Sequence, residues 1–404
     1  MRVLFVTWSA PGHLFPMVPL AWACQATGHE LRVAAPEAAC RAVTHAGLPA
    51  IPVGKPVDLM SIGRREDFQA WYSDAWAAGW AGRPEVLTAA QEHTLSAASA
   101  RQLAVAETMI DDILASCADW RPDLVVHDPL SFAGPVVAAV LGVPGLAHGW
   151  EVGTVLGTEL ADRRAGTPLP GYTALFDRYG ARPRPATRRL VDPTPPSMLL
   201  PETLPVERLP IRYVPYNGPG EVPSGLGGRR RDVPRICFTS GVALSKTGAD
   251  AVTRTIADMM AMTRGLEAEV ILAIGPGQRE LLPELPDGVR VAEAVPFHLL
   301  LPHCDAVVHH GGAGTGMTAV HCRVPQLVLA QSPIYSEVGH RVAAGGAGIV
   351  LTGADRTPDR AGEALAELLG DGRYRAALAA LAEEAAAMPS PAEVVEALEY
   401  LDRL

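Results

Sequence analysis

The sequence contains very little lysine and has no surplus of positive charge. Lys55 and Lys246 are the only lysines among its 404 residues, and the formal net charge is -10 at pH 7. The one dense basic run, residues 229–231, lies in a segment rich in glycine and proline, which is typical of a linker. Proteins that bind nucleic acid concentrate positive charge on one surface, so we expect no nucleic-acid partner.

Paired cysteines and long apolar runs are also missing. The six cysteines lie far apart and include no C-x-x-C pair, which favours neither a disulfide framework nor a cysteine metal site. No apolar stretch reaches the roughly 18 residues of a transmembrane helix, and the apolar start at residues 3–7 is soon interrupted by Pro11 and Gly12. We therefore expect an unprocessed cytoplasmic protein with no membrane partner.

Predicted strands and helices alternate in both halves of the chain. In the first half, strands are predicted at residues 3–7 and 31–35 around a helix at residues 16–27, and a strand at 124–128 precedes a helix at 134–141. Strands in the second half are predicted at residues 235–239, 269–274, 306–309 and 326–329. Such alternation is typical of an α/β fold with parallel, doubly wound sheets.

A turn-rich segment separates the two halves. Residues 216–234 hold many glycines and prolines and few residues able to form a core. We predict an N-terminal domain at residues 1–215, a linker at 216–232, a C-terminal domain at 233–390 and a final helix at 391–404 that could pack on either domain. Two doubly wound, Rossmann-like domains would face a central cleft at the carboxyl ends of their strands.

Two polar residues follow predicted strands of the N-terminal domain. The turn that holds His13 has one glycine instead of the three of G-x-G-x-x-G, which argues against a nicotinamide enzyme. A neutral imidazole there can take a proton from a hydroxyl group. Asp128, at the end of another strand, can hold the imidazole tautomer and stabilise the imidazolium. The alternatives are a solvated loop histidine and a capping or turn aspartate before Pro129.

A glycine-rich turn in the second half is predicted to bind phosphate. It follows a strand and opens a helix, so backbone N–H groups and the positive end of the helix dipole can face an anion. Its candidate residues are His310, Gly311, Gly312, Gly314 and Thr315. A second small turn, with Ser240 and Gly241, could supply another donor. The lysine of a P-loop is missing, and a structural glycine-rich turn remains the alternative for both segments.

Two further patterns allow more than one interpretation. Four histidines between residues 298 and 310 match no metal-ligand spacing, so we expect no metal site. Four aromatic residues recur at every fourth position of a predicted helix, which would place them in one stripe: Phe68, Tyr72, Trp76 and Trp80. The stripe indicates either core packing or a wall for a flat apolar ligand.

Together these residues resemble the bacterial GT-B glycosyltransferases that attach sugars from nucleotide diphosphates to antibiotics. The resemblance covers nearly the whole chain and is strongest in PGHLFPMVPLAWACQATGHELRVA, PDLVVHDPLSFAGPVVAAVLGVP and VPFHLLLPHCDAVVHHGGAGTGMTAV. It implies that His13 is the base and Asp128 its partner. It also implies that the H-G-G-x-G-T segment and Ser240 bind the donor diphosphate, and that the backbone of Val295 meets the nucleotide base.

One departure from the family bears on the sugar. Ile334 and Tyr335 occupy the positions where the family commonly has an Asp-Gln pair that contacts sugar hydroxyls, which favours a deoxysugar. The resemblance thus implies an inverting, metal-independent transfer of a deoxysugar from a thymidine diphosphate (TDP) sugar to a hydroxyl of a polyketide-like, aromatic acceptor. The TDP-sugar is a co-substrate, and no cofactor is expected.

Several alternatives stay open from the sequence. A nucleotide-sugar epimerase of the same fold would share the phosphate loop, and a non-catalytic activator of another glycosyltransferase would share the architecture. C-glycosylation in place of O-glycosylation is also open, as is a homodimer. If the main interpretation holds, we expect the acceptor to lie on the N-terminal domain, against the aromatic stripe.

Overall fold

The computed structural model describes most of the chain as two compact units. The described residues are 1–8, 10–59, 61–62, 71, 76–163, 165–200, 205–222, 233–239 and 249–400. The first unit comprises residues 1–194, 199–218 and 387–404, and the second comprises residues 195–198 and 219–386. The predicted linker is described only as far as residue 222, and the predicted boundaries stay predictions.

The first unit contains a parallel sheet of seven strands and an antiparallel pair. Its strands are β1 (Arg2–Val6), β2 (Glu30–Ala35), β3 (Ala50–Pro52), β4 (Leu124–His127), β5 (Gly145–His148), β6 (Leu160–Asp162), β7 (Thr167–Pro168), β8 (Arg189–Asp192) and β9 (Glu207–Pro210). Its helices, apart from the last helix of the chain, are α1 (Pro11–Leu14), α2 (Val18–Ala26), α3 (Glu37–His45), α4 (Ala89–Ser116), α5 (Ala133–Leu141) and α6 (Pro170–Asp177). The sheet order is β3-β2-β1-β4-β5-β8-β9, and β6 pairs with β7.

The central strands are apolar on both faces because helices cover both faces of the sheet. Val3 and Phe5 of β1 pack in one core cluster with residues of α2 and α3. Leu4 and Val6 pack in the other, with residues of α4 and α5. The strand order reverses between β1 and β4, so the segments that follow these two strands lie side by side.

The segment after β1 is more helical than the sequence indicates. Helix α1 begins at Pro11, a 3-10 helix follows at Phe15–Met17, and α2 begins at Val18. Each of these short elements has a proline in its first turn, where no backbone N–H is needed for helical bonding. His13 therefore lies on a helical turn, and not in the loop that the sequence predicts.

The predicted helical stripe of aromatic residues is wrong where the structure describes it. Trp76 is not helical, and Trp80 begins a short 3-10 helix because Gly79 has a φ of 72°, in the left-handed region that ends helices. Trp80 is buried at 1% exposure, and its ring centroid lies 4.8 Å from that of Trp76. Phe68 and Tyr72 lie outside the described residues. A ligand-binding role for the four aromatics stays a prediction.

The second unit contains a parallel sheet of six strands in the order β12-β11-β10-β13-β14-β15. Its strands are β10 (Arg235–Thr239), β11 (Glu269–Ile274), β12 (Val289–Glu293), β13 (Ala306–His309), β14 (Gln326–Ala330) and β15 (Gly348–Thr352). Its helices are α7 (Ala249–Met262), α8 (Phe297–Leu300), α9 (Ala313–His321), α10 (Pro333–Ala344), α11 (Pro358–Gly370) and α12 (Gly372–Ala386). The strands predicted in this half are all present, and the doubly wound fold class is confirmed.

The final helix, α13 (Pro391–Leu398), returns to the first unit. Ser390 and Glu393 form a capping box at its start. Val394, Val395 and Leu398 are buried in the core cluster that contains α2. This resolves the packing that the sequence left open. Within the described ranges, no helix combines the length and the apolar composition needed to cross a bilayer.

Gly134 in α5 permits the close packing of this helix on β4. A Cβ atom at Gly134 would lie 2.3 Å from the Cβ of His127. Because that atom is bonded directly to the backbone of β4, it can move only if the strand moves. We expect Gly134→Ala to lower the free energy of unfolding by about 1–3 kcal/mol through overpacking. Urea unfolding followed by circular dichroism measures the change. Gly370→Ala is the control, since its added methyl group would contact nothing within 4 Å; equal losses in both variants would contradict the prediction.

Candidate active site

The structure brings His13 and Asp128 into direct contact. Strands β1 and β4 are neighbours with Val6 opposite His127, so the residues beyond their ends are adjacent. The Nδ1 atom of His13 lies 2.8 Å from Oδ2 of Asp128. The two residues predicted from separate strands thus form one dyad, 115 positions apart in the chain.

Asp128 is held rigidly and determines the tautomer of His13. Its side chain is fully buried, and its other oxygen, Oδ1, accepts the backbone N–H of Leu130 at 2.7 Å. A carboxylate only accepts hydrogen bonds, so Nδ1 of His13 carries the proton. Nε2 then keeps its lone pair and has no hydrogen-bond partner among the described residues. With 12% of its side chain exposed, His13 can act as a general base.

Two indole rings flank the His13 imidazole. The ring centroid of Trp150 lies 4.3 Å away with an interplanar angle of 58°, and that of Trp8 lies 5.1 Å away in an edge-on arrangement. The sequence analysis missed both tryptophans as site residues. The sequence carried a signal for Trp8, which directly follows the predicted strand at residues 3–7, but none for Trp150, because β5 is not predicted from the sequence.

Glu151 fixes the chain just after Trp150. Its buried carboxylate accepts the backbone N–H groups of Gly153, Thr154 and Val155 at 3.0, 2.9 and 3.2 Å, together with the Thr154 hydroxyl. Burial raises the pKa of Glu151, and these hydrogen bonds act in the opposite direction. The Thr194 hydroxyl donates to the Glu151 carbonyl at 3.2 Å. These hydrogen bonds fix the backbone immediately after Trp150.

Two buried histidines, at the ends of β4 and β5, remain neutral. His127 donates its Nδ1–H to the Asp128 carbonyl at 3.0 Å, and His148 donates to the Gly149 carbonyl at 2.8 Å. Burial lowers the pKa of each imidazole to about 4. Neither imidazole therefore adds positive charge beside Asp128 at neutral pH.

The predicted phosphate loop opens helix α9. Gly312 is the residue before the first turn of α9, and Gly314 and Thr315 lie within that turn, at the positive end of the helix dipole. Gly311 has a φ of 99°, and a Cβ there would lie 2.7 Å from the Tyr335 carbonyl oxygen. A Cβ at Gly312 would lie 2.9 Å from His310 Nε2. The loop therefore has room only for glycine at position 311, whereas a Cβ at position 312 would displace the His310 ring.

His309 anchors this loop to the sheet, a role that the sequence analysis missed. Its Nδ1 accepts the backbone N–H of Gly311 at 3.1 Å, and its Nε2–H donates to Oε1 of Gln326 at 3.0 Å. Gln326 in turn donates to the Gly316 carbonyl at 3.2 Å. Burial lowers the pKa of His309 to about 3, so the ring is neutral. The N–H of Gly311 is thus already used, and Gly311 contributes the turn itself.

His310, Ile334 and Tyr335 meet near the same loop. The rings of His310 and Tyr335 lie 4.7 Å apart in an edge-on arrangement, and Ile334 precedes Tyr335 in the first turn of α10. Burial lowers the pKa of His310 to about 4, and its buried Nδ1 has no hydrogen-bond partner within the described residues. A pocket of about 160 Å³ is lined by His310, Thr239 and Gln331, among others.

The remaining predicted site residues are only partly described. Val295 is half-buried and follows Ala294, whose φ of 53° is unusual for a residue with a Cβ and turns the chain after β12. Ser240 and Gly241 lie outside the described residues. In the part of the chain that is described, no group of histidine, cysteine, aspartate or glutamate residues could hold a metal ion.

The chain matches one family in both halves. Residues 22–241 match the N-terminal domain, and residues 257–401 the C-terminal domain, of the erythromycin biosynthesis protein CIII-like family. It is 34% identical to 3-alpha-mycarosylerythronolide B desosaminyl transferase of Saccharopolyspora erythraea, over 99% of this chain and 98% of that protein. It is 35% identical to aclacinomycin-T 2-deoxy-L-fucose transferase of Streptomyces galilaeus, over 99% and 96%.

A solved structure extends the similarity to the fold. The spinosyn rhamnosyltransferase SpnG complexed with thymidine diphosphate is 31% identical, with a TM-score of 0.79 over 99% of this chain and 100% of that one. The same enzyme has been solved in complex with the spinosyn aglycone. At this level of similarity, the two Rossmann-like sheets are those of the GT-B architecture.

The buried neutral histidines predict an acid-sensitive fold. The pKa of His148 is about 4 in the folded protein against an ordinary value of 6.5, so the unfolded chain binds its proton first as the pH falls. Stability from this residue is complete above pH 6.5 and declines between pH 6.5 and 4, by about 1.4 kcal/mol per pH unit. We expect His148→Gln to flatten the pH dependence of urea unfolding by that amount. His45→Gln, on the exposed face of α3, is the control; parallel pH profiles for wild type and His148→Gln would contradict the prediction.

Proposed function

Because the chain belongs to the erythromycin biosynthesis protein CIII-like family of glycosyltransferases, we propose that it transfers a deoxysugar from a TDP-sugar to a hydroxyl group of a polyketide-like aromatic acceptor, with inversion at the sugar. The names of its relatives support a deoxysugar, and the TDP complex of its structural neighbour supports the nucleotide. The observation that carries the proposal is the 2.8 Å contact between His13 Nδ1 and Asp128 Oδ2, which leaves Nε2 as a base.

The base and its partner account for the acceptor half of the reaction. The acceptor O–H bond breaks as its proton moves to Nε2 of His13, and the acceptor oxygen forms a bond to the anomeric carbon. The bond from that carbon to the diphosphate oxygen breaks, and TDP leaves with the electron pair. Attack opposite the leaving group inverts the anomeric centre. Asp128 stabilises the imidazolium that forms on His13.

The phosphate loop accounts for the donor half. Negative charge grows on the diphosphate as it leaves, and a helix N-terminus stabilises such charge without reorganising. The first turn of α9, with Gly314 and Thr315, and the neutral imidazole of His310 are suited to this task. These groups are dipoles and hydrogen-bond donors, so we propose that the transfer needs neither a metal ion nor a cofactor.

The proposed base is tested by removing it. We expect His13→Ala to lower turnover at least 100-fold, the range in which general-base catalysis contributes, while the affinity for TDP stays within about twofold of wild type. Asp128→Asn should lower turnover by a similar order, because an amide can present a donor to Nδ1 and favour the wrong tautomer. Mass spectrometry of a panel of aglycones with TDP- and UDP-sugars measures transfer, and calorimetry measures TDP binding.

Two outcomes would contradict this assignment. Retained turnover in His13→Ala would exclude His13 as the base. An isomerised sugar formed from the donor alone, with no acceptor present, would indicate an epimerase. The wild-type product also distinguishes an O-glycoside, which acid hydrolyses readily, from a C-glycoside.

The sugar preference is tested at two positions of α10. Ile334 and Tyr335 are half-buried and offer only one hydroxyl group to a sugar. We expect the double variant Ile334→Asp/Tyr335→Gln to increase kcat/KM for TDP-glucose relative to a TDP-deoxysugar by about tenfold, because each added polar group can pair with a sugar hydroxyl. Tyr400→Gln, at an exposed position of the first unit, is the control. An unchanged ratio would contradict the proposed role.

A further inference from the structure

The imidazole of His13 is flanked by two indole rings as well as bonded to its carboxylate partner. Trp150 and Trp8 lie 4.3 and 5.1 Å from it, centroid to centroid, on the segments that follow β5 and β1. The two tryptophans and Asp128 therefore approach the ring from three different strands of the same sheet. The hydrogen bond to Asp128 alone does not account for the two indole rings beside the imidazole.

The position of Trp150 is built into the fold. Preceding it, the Gly149 N–H donates to the Val191 carbonyl at 2.8 Å, and the Gly149 carbonyl accepts from His148. Following it, Glu151 holds the next turn by three backbone N–H groups. Hydrogen bonds on both sides thus fix the backbone that carries the indole, so the ring is held against His13 without a hydrogen bond of its own to that residue.

We infer that Trp150 is a positioning residue that raises the basicity of His13 by stabilising its imidazolium form. The π face of an indole attracts a cation whose centre lies within about 6 Å, and tryptophan does so more strongly than phenylalanine. Neutral imidazole gains little from the same contact. The difference favours protonation at Nε2, which is the event that the proposed base must undergo. The inference rests on the proposed function only for this catalytic consequence.

Among the described residues of the first unit, the other titratable groups on the elements around His13 are neutral, held by their own hydrogen bonds or exposed to solvent. Asp128 contacts the ring directly, whereas His127 and His148 are neutral and Glu151 is occupied by its own turn. Helix α3, which packs against α1, carries charged or titratable side chains that are exposed to solvent: Glu37, Arg41 and His45. Cys40 of that helix donates its thiol to the Ala35 carbonyl, and burial raises its pKa. Asp128 and the two indoles thus dominate the surroundings of the imidazole.

The pKa of His13 tests the inference without any substrate. We would titrate the histidine ring signals of the isotope-labelled, full-length protein by NMR, with His13→Ala to assign the His13 signal. Trp150→Leu should lower the pKa of His13 by about 0.5 to 1 pH unit, the size of a partly desolvated cation–π contact, and Trp150→Phe should lower it by less. Trp22→Leu is the matched control, because Trp22 is 41% exposed on α2, where its indole N–H donates to the Ala46 carbonyl and its ring contacts Tyr216.

Enzyme kinetics give the second measurement. The acid limb of the kcat/KM profile should move to lower pH in Trp150→Leu by the same amount as the pKa, with the KM for the TDP-sugar unchanged. An unchanged pKa of His13 in folded Trp150→Leu would overturn the inference. A higher KM for the acceptor with an unshifted pH profile would also overturn it, because Trp150 would then only contact the acceptor.

The comparison of pKa values does not depend on one variant or on enzyme activity. If Trp150→Leu does not fold, Trp150→Phe carries the same comparison, and equal pKa values in wild type and Trp150→Phe would overturn the inference. Because the NMR titration needs no reaction, a wild-type protein that transfers no sugar would refute the proposed function while leaving the pKa comparison intact. Conversely, active wild-type enzyme with an unmoved pKa would refute the role of Trp150 alone.

Discussion

The parallel pairing of β1 with β4 is the constraint on which the contact between His13 and Asp128 depends. It places Val6 opposite His127, and the Asp128 N–H extends the ladder by bonding to the Val6 carbonyl at 3.0 Å. A slip of one residue would turn every side chain of the strand to the other face. The register is fixed because β1 buries Phe5 on one side and Leu4 on the other, in two separate cores. Packing far from the dyad therefore sets the 2.8 Å contact.

Both units have a buried neutral histidine at the end of the strand that lies across the reversal of strand order. In each sheet the strand order reverses beside the first strand of the unit, and the strand across that reversal ends in a buried neutral histidine, His127 in β4 and His309 in β13. His127 donates to the carbonyl of the next residue, whereas His309 accepts an N–H from two residues on. One histidine thus sets the backbone that carries a carboxylate, and the other sets a glycine turn at a helix N-terminus.

Sequence patterns predicted what depends on continuous apolar runs and on the residues that end them. The strands at residues 124–127 and 306–309 are wholly buried and apolar up to a final histidine, and Asp128 and His310 follow their carboxyl ends. Strand β5 escaped because Gly145–His148 is short and contains no β-branched residue, so Trp150 had no predicted strand to follow. The predicted aromatic helix does not extend to Trp80, because Gly79 adopts a left-handed φ of 72° just before it.

The scarcity of lysine has a physical counterpart in the proposed donor site. A diphosphate can be bound by fixed cations or by preorganised dipoles, and the second unit offers the latter at the start of α9, next to the neutral rings of His309 and His310. Dipoles act over a shorter range than full charges, so they favour the charge that develops on a correctly seated diphosphate over any anion nearby. In the proposed reaction, an acidic chain can therefore bind an anionic donor because recognition depends on the geometry of one turn and not on the charge of a surface.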